Sequence, residues 1–110
     1  MIGWGTIIKN SSGETICFGW ITRNPNNSTS RFFEGFIVEE DKNHGFPDNY
    51  TIPVRLLRAF LNAPALKDLN LGENVYGPLT GKPFDPQFVL DNISDLNDDD
   101  NIIIEEWDEG

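Results

Sequence analysis

The sequence predicts an α+β fold, a mostly antiparallel β-sheet (an N-terminal meander plus a C-terminal strand) with two short helices. Three observations carry this. Two β-rich runs flank a turn quartet near the N-terminus, apolar spacing shifts to a helical period in two later stretches, and Ile102-Ile103-Ile104 stands close to the C-terminus. The chain has 110 residues, the length of one domain, and such a domain buries roughly 60–70% of the surface its unfolded form exposes. Apolar residues make up 38% and aromatic residues 12%, which suits a packed core and not a disordered chain. No repeat or linker divides residues 1–110, so a single domain is expected.

Each element has its own signal. Ile2–Lys9 and Glu14–Arg23 are β-rich runs around Asn10-Ser11-Ser12-Gly13, where Asn and Gly supply turn geometry and a positive φ. Asn24–Ser30 has no periodicity and reads as a loop. Arg31–Glu40 is rich in strand formers, and alternation would place Phe32, Phe36 and Val38 on one side and Phe33 and Ile37 on the other, giving a third strand. Asp41–Asn49 is turn-rich. From Pro53 to Asn62 the period changes: proline suits a first helical turn, Val54, Leu57 and Leu61 share a face, and Pro64 ends the run. Ala65–Leu71 is ambiguous, and Gly77–Pro83 is loop. Asp85 has the chemistry of an N-cap with Pro86 at the first helical position, and Val89, Ile93 and Leu96 follow at i, i+4 and i+7. A second helix is expected there, then an acidic turn and a last strand.

Charge is the most uneven property of the chain. The net charge is −10, and nine of the 18 acidic residues lie in Asp91–Gly110, with no Lys or Arg among them. Residues 1–90 are nearly neutral, with nine acids against eight bases. Such a block repels itself and stays solvated, or forms an interaction surface, but the isoleucines and Trp107 are costly to leave in water. A strand with a negative rim is therefore expected. A basic face for phosphates is missing, so nucleic acid is not the expected partner, and a basic protein is. No apolar run approaches a membrane span, and the N-terminus lacks a basic stretch followed by an apolar one, so a cytoplasmic location and no membrane partner are expected.

Motifs for chemistry fail on inspection. Asp95, Asn97, Asp99 and Glu106 occupy positions 1, 3, 5 and 12 of a calcium-loop spacing with Ile102 at position 8, but position 6 is Asp100 where glycine is needed, and the isoleucines favour a strand. Gly77–Lys82 has one residue too few for a phosphate loop and Pro83 follows it. His44 and Cys17 are each the only one of their kind, which rules out a thiolate cluster or a two-histidine site within one chain. Cys17 reads as a small core hydrophobe. The acidic runs Glu39-Glu40-Asp41, Asp98-Asp99-Asp100 and Glu105-Glu106 name no cleft. No cofactor, metal or catalytic residue is nominated, and a binding protein is expected in place of an enzyme.

The aromatic hairpin pattern Gly3-Trp4-Gly5-Thr6 with Phe18-Gly19-Trp20, together with the acidic end from Asp98 to Glu109, resembles bacterial toxin-immunity proteins of the contact-dependent growth-inhibition type. The resemblance implies a one-to-one complex with a cognate toxin domain, often a nuclease, whose basic active-site cleft an acidic surface would block. The residues expected at that interface are Asp98, Asp99, Asp100, Glu105, Glu106, Asp108 and Glu109 as electrostatic partners, with Trp107 as anchor. Two other readings use the same stretch: an acidic module or DNA mimic for another basic partner, and a free Ile102-Ile103-Ile104 strand added to a partner's sheet edge, as in SUMO-interacting motifs.

Overall fold

A computed structural model of the chain describes residues 3–41, 47–73 and 82–108. Six strands, β1 (Trp4–Asn10), β2 (Thr15–Thr22), β3 (Glu39–Asp41), β4 (Asp48–Pro53), β5 (Gly72–Glu73) and β6 (Asn101–Asp108), form one antiparallel sheet in the order β3-β4-β6-β1-β2-β5. The helices are α1 (Thr29–Phe32), α2 (Val54–Leu61) and α3 (Pro86–Asn92), with 3-10 segments at Pro25–Asn27 and Pro64–Leu69. The α+β class and the mostly antiparallel sheet stand as predicted.

The hairpin forms where its turn residues place it. The Asn10 side chain accepts from the Ser12 and Glu14 N–H groups, and Gly13 takes a φ of 87°. Between Gly5↔Ile21 and Ile7↔Phe18 the register slips, so Gly19 and Trp20 stand opposite Thr6 alone. The Thr6 hydroxyl accepts from the Trp20 N–H at 2.9 Å and donates to the Trp20 carbonyl at 3.1 Å, replacing the ladder bonds that the bulge breaks.

The C-terminal strand is central. β6 pairs with β1 on one side and β4 on the other, so its isoleucines sit in the middle of the sheet. Ile102 and Ile104 share the side of Ile8, Cys17, Trp20 and Ile52, where Val54, Leu57 and Leu61 of α2 and Val89 and Ile93 close the core. The reading of residues 102–104 as a free, addable strand is thereby overturned, because both edges of β6 are already hydrogen-bonded. The stripe predicted for α2 is its buried face; of that predicted for α3, Val89 is buried in the helix, Ile93 is buried as its C-cap, and Leu96 lies past its end and is half-buried, while Asp85 caps α3 by accepting from the Gln87 N–H.

Arg31–Glu40 is not a strand. Residues Thr29–Phe32 make a helical turn, Gly35 adopts a φ of 85°, and only Glu39–Asp41 enter the sheet. A distant contact overrides local propensity here. The Glu106 carboxylate, 77 residues away, accepts from the Thr29 N–H at 2.8 Å and the Thr29 hydroxyl at 2.7 Å, supplying the cap that Ser28 does not. Phe32 packs tilted against Phe60 of α2 and Phe33 meets it edge-on, and Phe60 also meets Trp20 at 5.1 Å between ring centroids. Tyr50-Thr51-Ile52, unassigned from sequence, supplies half of β4.

Two buried groups give the fold an alkaline limit. Burial pushes the Cys17 thiol from 9.0 up to about 11. Burial first, and then the Glu106 and Asp48 carboxylates, push the Tyr50 phenol from 10.0 up to about 12. Both groups stay neutral in the folded chain where the unfolded chain ionises, so their contribution is complete below pH 9.0 and is lost as pH rises through about 11 and about 12. The denaturation midpoint is expected to fall across that alkaline window, and Tyr50→Phe to flatten the fall; an unchanged slope in the variant would remove Tyr50 from the account.

Candidate functional site

The expected partner-binding residues do not form one surface. Asp98, Asp99 and Asp100 lie in the turn before β6, whereas Trp107 and Asp108 end that strand. From Asn101 to Asp108 the strand rises roughly 24 Å, so the acidic end is divided between opposite ends of the sheet. Glu109, like His44 and residues 77–81, lies outside the described residues.

The turn is tied into the fold. The Asp100 and Asp98 carbonyls accept from the Val54 and Arg55 N–H groups at 2.8 and 3.3 Å, satisfying the first turn of α2. Arg58 donates to the Ile93 and Leu96 carbonyls at 2.8 and 2.6 Å and pairs with the Asp98 carboxylate. Asp99 is exposed, and the Asp100 side chain accepts from the Asn97 N–H. The calcium-loop spacing does not fold as a loop, because Glu106 stands about 17 Å along a strand from Asn101. No group of three metal-binding side chains exists among the described residues.

Glu105 and Glu106 are corrected from rim acids to internal ones. Their exposures are 7% and 4%. Glu106 holds Thr29 on the helical side of the sheet, and Glu105, on the other side, pairs with Lys9 and accepts from the Trp107 indole N–H at 2.6 Å. Strong β-propensity around two carboxylates gives no sign of which residue will be buried, since each burial depends on a donor far away in sequence.

The sheet register assembles a different surface. Directly opposed residues share a face. On the side away from the helices one row runs Glu39, Thr51, Ile103, Lys9 and Thr15, the next Asp41, Asn49, Glu105, Ile7 and Phe18, and a third Trp107, Gly5 and Ile21. An antiparallel sheet with one free face ordinarily presents polar residues there. Here apolar groups surround a central ion pair: Ile7 and Ile103 are half-buried beside Lys9 and Glu105, Phe18 is 44% exposed and Trp107 40%. Its β3 margin is acidic, with Glu39 and Asp41 exposed. Trp107 lies on this face together with Phe18, Ile7, Ile103, Glu39 and Asp41, which nothing in their local sequence connects with it. The alternation in β2 shows Phe18 leaving the side of Cys17, but only pairing through β4 brings Glu39 and Asp41 onto the same face as Trp107.

Comparison with protein-family models, curated proteins and solved structures finds no match to this chain. No described helix is long and apolar enough to cross a membrane.

Proposed function

We propose that this chain is a cytoplasmic immunity-type inhibitor, without catalytic activity of its own, that binds a cognate toxin domain and neutralises it. The observation that carries the reading is the free sheet face with Phe18 and Trp107 in the open, Ile7 between them, Ile103 beyond the Lys9–Glu105 pair, and Glu39 and Asp41 at its margin. Exposed aromatics surrounded by a polar rim have the composition of a protein interface, and the chain's net charge of −10 selects a basic partner and accelerates encounter with it. A nuclease fits, because it needs a basic cleft to hold phosphates. The free face, and not the acidic block as a whole, is the surface that would cover such a cleft.

The test is co-expression with the product of the open reading frame immediately upstream, followed by size-exclusion at low and moderate salt and an assay of that product's nuclease activity. Phe18→Ala and Trp107→Ala are each expected to weaken the complex roughly thirtyfold or more. Glu39→Lys with Asp41→Lys is expected to lower the association rate and its salt dependence, while Asp99→Lys leaves binding unchanged. Unaltered inhibition by the Phe18 and Glu39/Asp41 variants, with intact folding, would move the interface elsewhere.

A further inference from the structure

Glu105 stands at the centre of the free face, yet its charge is already spent. One carboxylate oxygen pairs with the Lys9 ammonium and the other accepts from the Trp107 indole N–H at 2.6 Å. The acid is 7% exposed although it lies on the side away from the helices, while the ring it holds is 40% exposed. An indole has a single polar atom, so this hydrogen bond is the one polar tie that the Trp107 side chain can make. Gly5, opposite Trp107 on β1, presents no side chain to brace the ring. The row through Asp41, Asn49, Glu105, Ile7 and Phe18 therefore has an exposed carboxylate at one end, an exposed phenyl ring at the other and a neutralised acid between them. Its ends are separated by four strand intervals, roughly 19 Å.

Building on the toxin-binding reading, we propose that Glu105 is a positioning residue of the partner face: it holds the Trp107 ring ready for docking while Lys9 cancels its charge, so that the partner meets a neutral aromatic centre. A tryptophan side chain that is free to turn must be ordered when a partner covers it, and that ordering opposes association. A ring already held avoids the loss. Aromatic anchors seated in a partner's pocket carry much of the affinity of an interface, so their orientation matters more than that of the surrounding contacts. A carboxylate suits the task because it accepts from the indole and from Lys9 at once, and covering the face then leaves no charge desolvated without a partner. The chemistry of the partner follows from the same row. It needs apolar pockets for Trp107 and Phe18, and cations facing Glu39 and Asp41 roughly 19 Å from the Phe18 pocket. Opposite Glu105 it needs no cation, because both oxygens of that carboxylate are in use and the Lys9 ammonium would repel one.

The test uses the full chain, first alone and then with the product of the upstream open reading frame. In the free chain the Trp107 indole N–H resonance, assigned by its loss in Trp107→Phe, should exchange slowly with solvent in the parent and in Glu105→Gln, which keeps an accepting oxygen. In Glu105→Ala it should exchange fast. In the complex, Glu105→Ala should weaken binding about fivefold to tenfold. The double variant Lys9→Met with Glu105→Gln removes both charges and keeps the acceptor; it should fold like the parent and bind within about twofold of it, with the same salt dependence. A loss of about tenfold or more in the folded double variant, with weaker salt dependence, would mean that the Glu105 charge meets a partner cation and would overturn the proposal. Unchanged affinity in Glu105→Ala, or an indole N–H that exchanges alike in all variants, would overturn it too, with the toxin-binding reading left standing. Failure of the parent chain to form the complex would instead remove that reading and this role together.

Discussion

Glu106→Ala is expected to destabilise the protein by about 3 kcal/mol in urea denaturation, a large effect for a residue that sequence places on an acidic surface. The carboxylate is buried and accepts both the Thr29 N–H and the Thr29 hydroxyl. Removing it strands two donors in an environment that excludes water, and unsatisfied buried donors cost more than a made hydrogen bond contributes. The loss also unfastens the α1 turn that carries Phe32 and Phe33 onto Phe60. Glu106→Gln, which keeps an accepting oxygen in place, should cost less than half as much. A Glu106→Ala variant within about 0.5 kcal/mol of the parent, the range of ordinary surface substitutions, would return Glu106 to the list of surface acids.

Gly19→Ala is expected to cost a similar amount, about 3 kcal/mol. A Cβ at this position would lie 2.2 Å from the Thr6 hydroxyl oxygen, so the threonine must rotate away and abandon both of its hydrogen bonds to the Trp20 backbone. Thr6→Ala alone should cost less, since it leaves the bulge unplugged but unstrained. The decisive comparison is the double variant. If the clash with Thr6 is the cause, Gly19→Ala becomes much cheaper in the Thr6→Ala background; strict additivity of the two would show that the glycine matters for another reason.

Much of this fold was legible in the residues themselves. The Asn10–Gly13 turn, the β-rich runs on either side of it, the apolar stripe of α2 and the Asp85-Pro86 start of α3 are all local patterns, and each formed where its chemistry indicates. The alternation that would place Phe18 and Trp20 on one face of β2, by contrast, is broken by the bulge opposite Thr6, which turns Trp20 into the core beside Cys17. Such signals act within a few residues, through backbone geometry, capping and side-chain period. Arg31–Glu40 misled because its phenylalanines and β-branched residues satisfy a strand as well as a packed turn. Its real state is chosen by a carboxylate contributed from the far end of the chain.

The site divides in the same way. The sequence determined that the charge is concentrated, that Trp107 stands among acids, and that no metal or catalytic motif is complete. It could not show that β6 would be a central strand, and that placement decides everything about its side chains. Pairing on both edges turns Ile102 and Ile104 into core, fixes Glu105 and Glu106 on opposite faces beside donors from β1 and α1, and leaves Trp107 exposed in the row of Gly5. The same pairing carries Glu39 and Asp41, more than sixty residues earlier in sequence, to the margin of that face. Composition and period dictate which residues can be strands or helices, because those preferences are local. Which carboxylates face solvent and which are consumed by the fold depends on long-range register, because burial of a charge is tolerable only where another part of the chain supplies its partner.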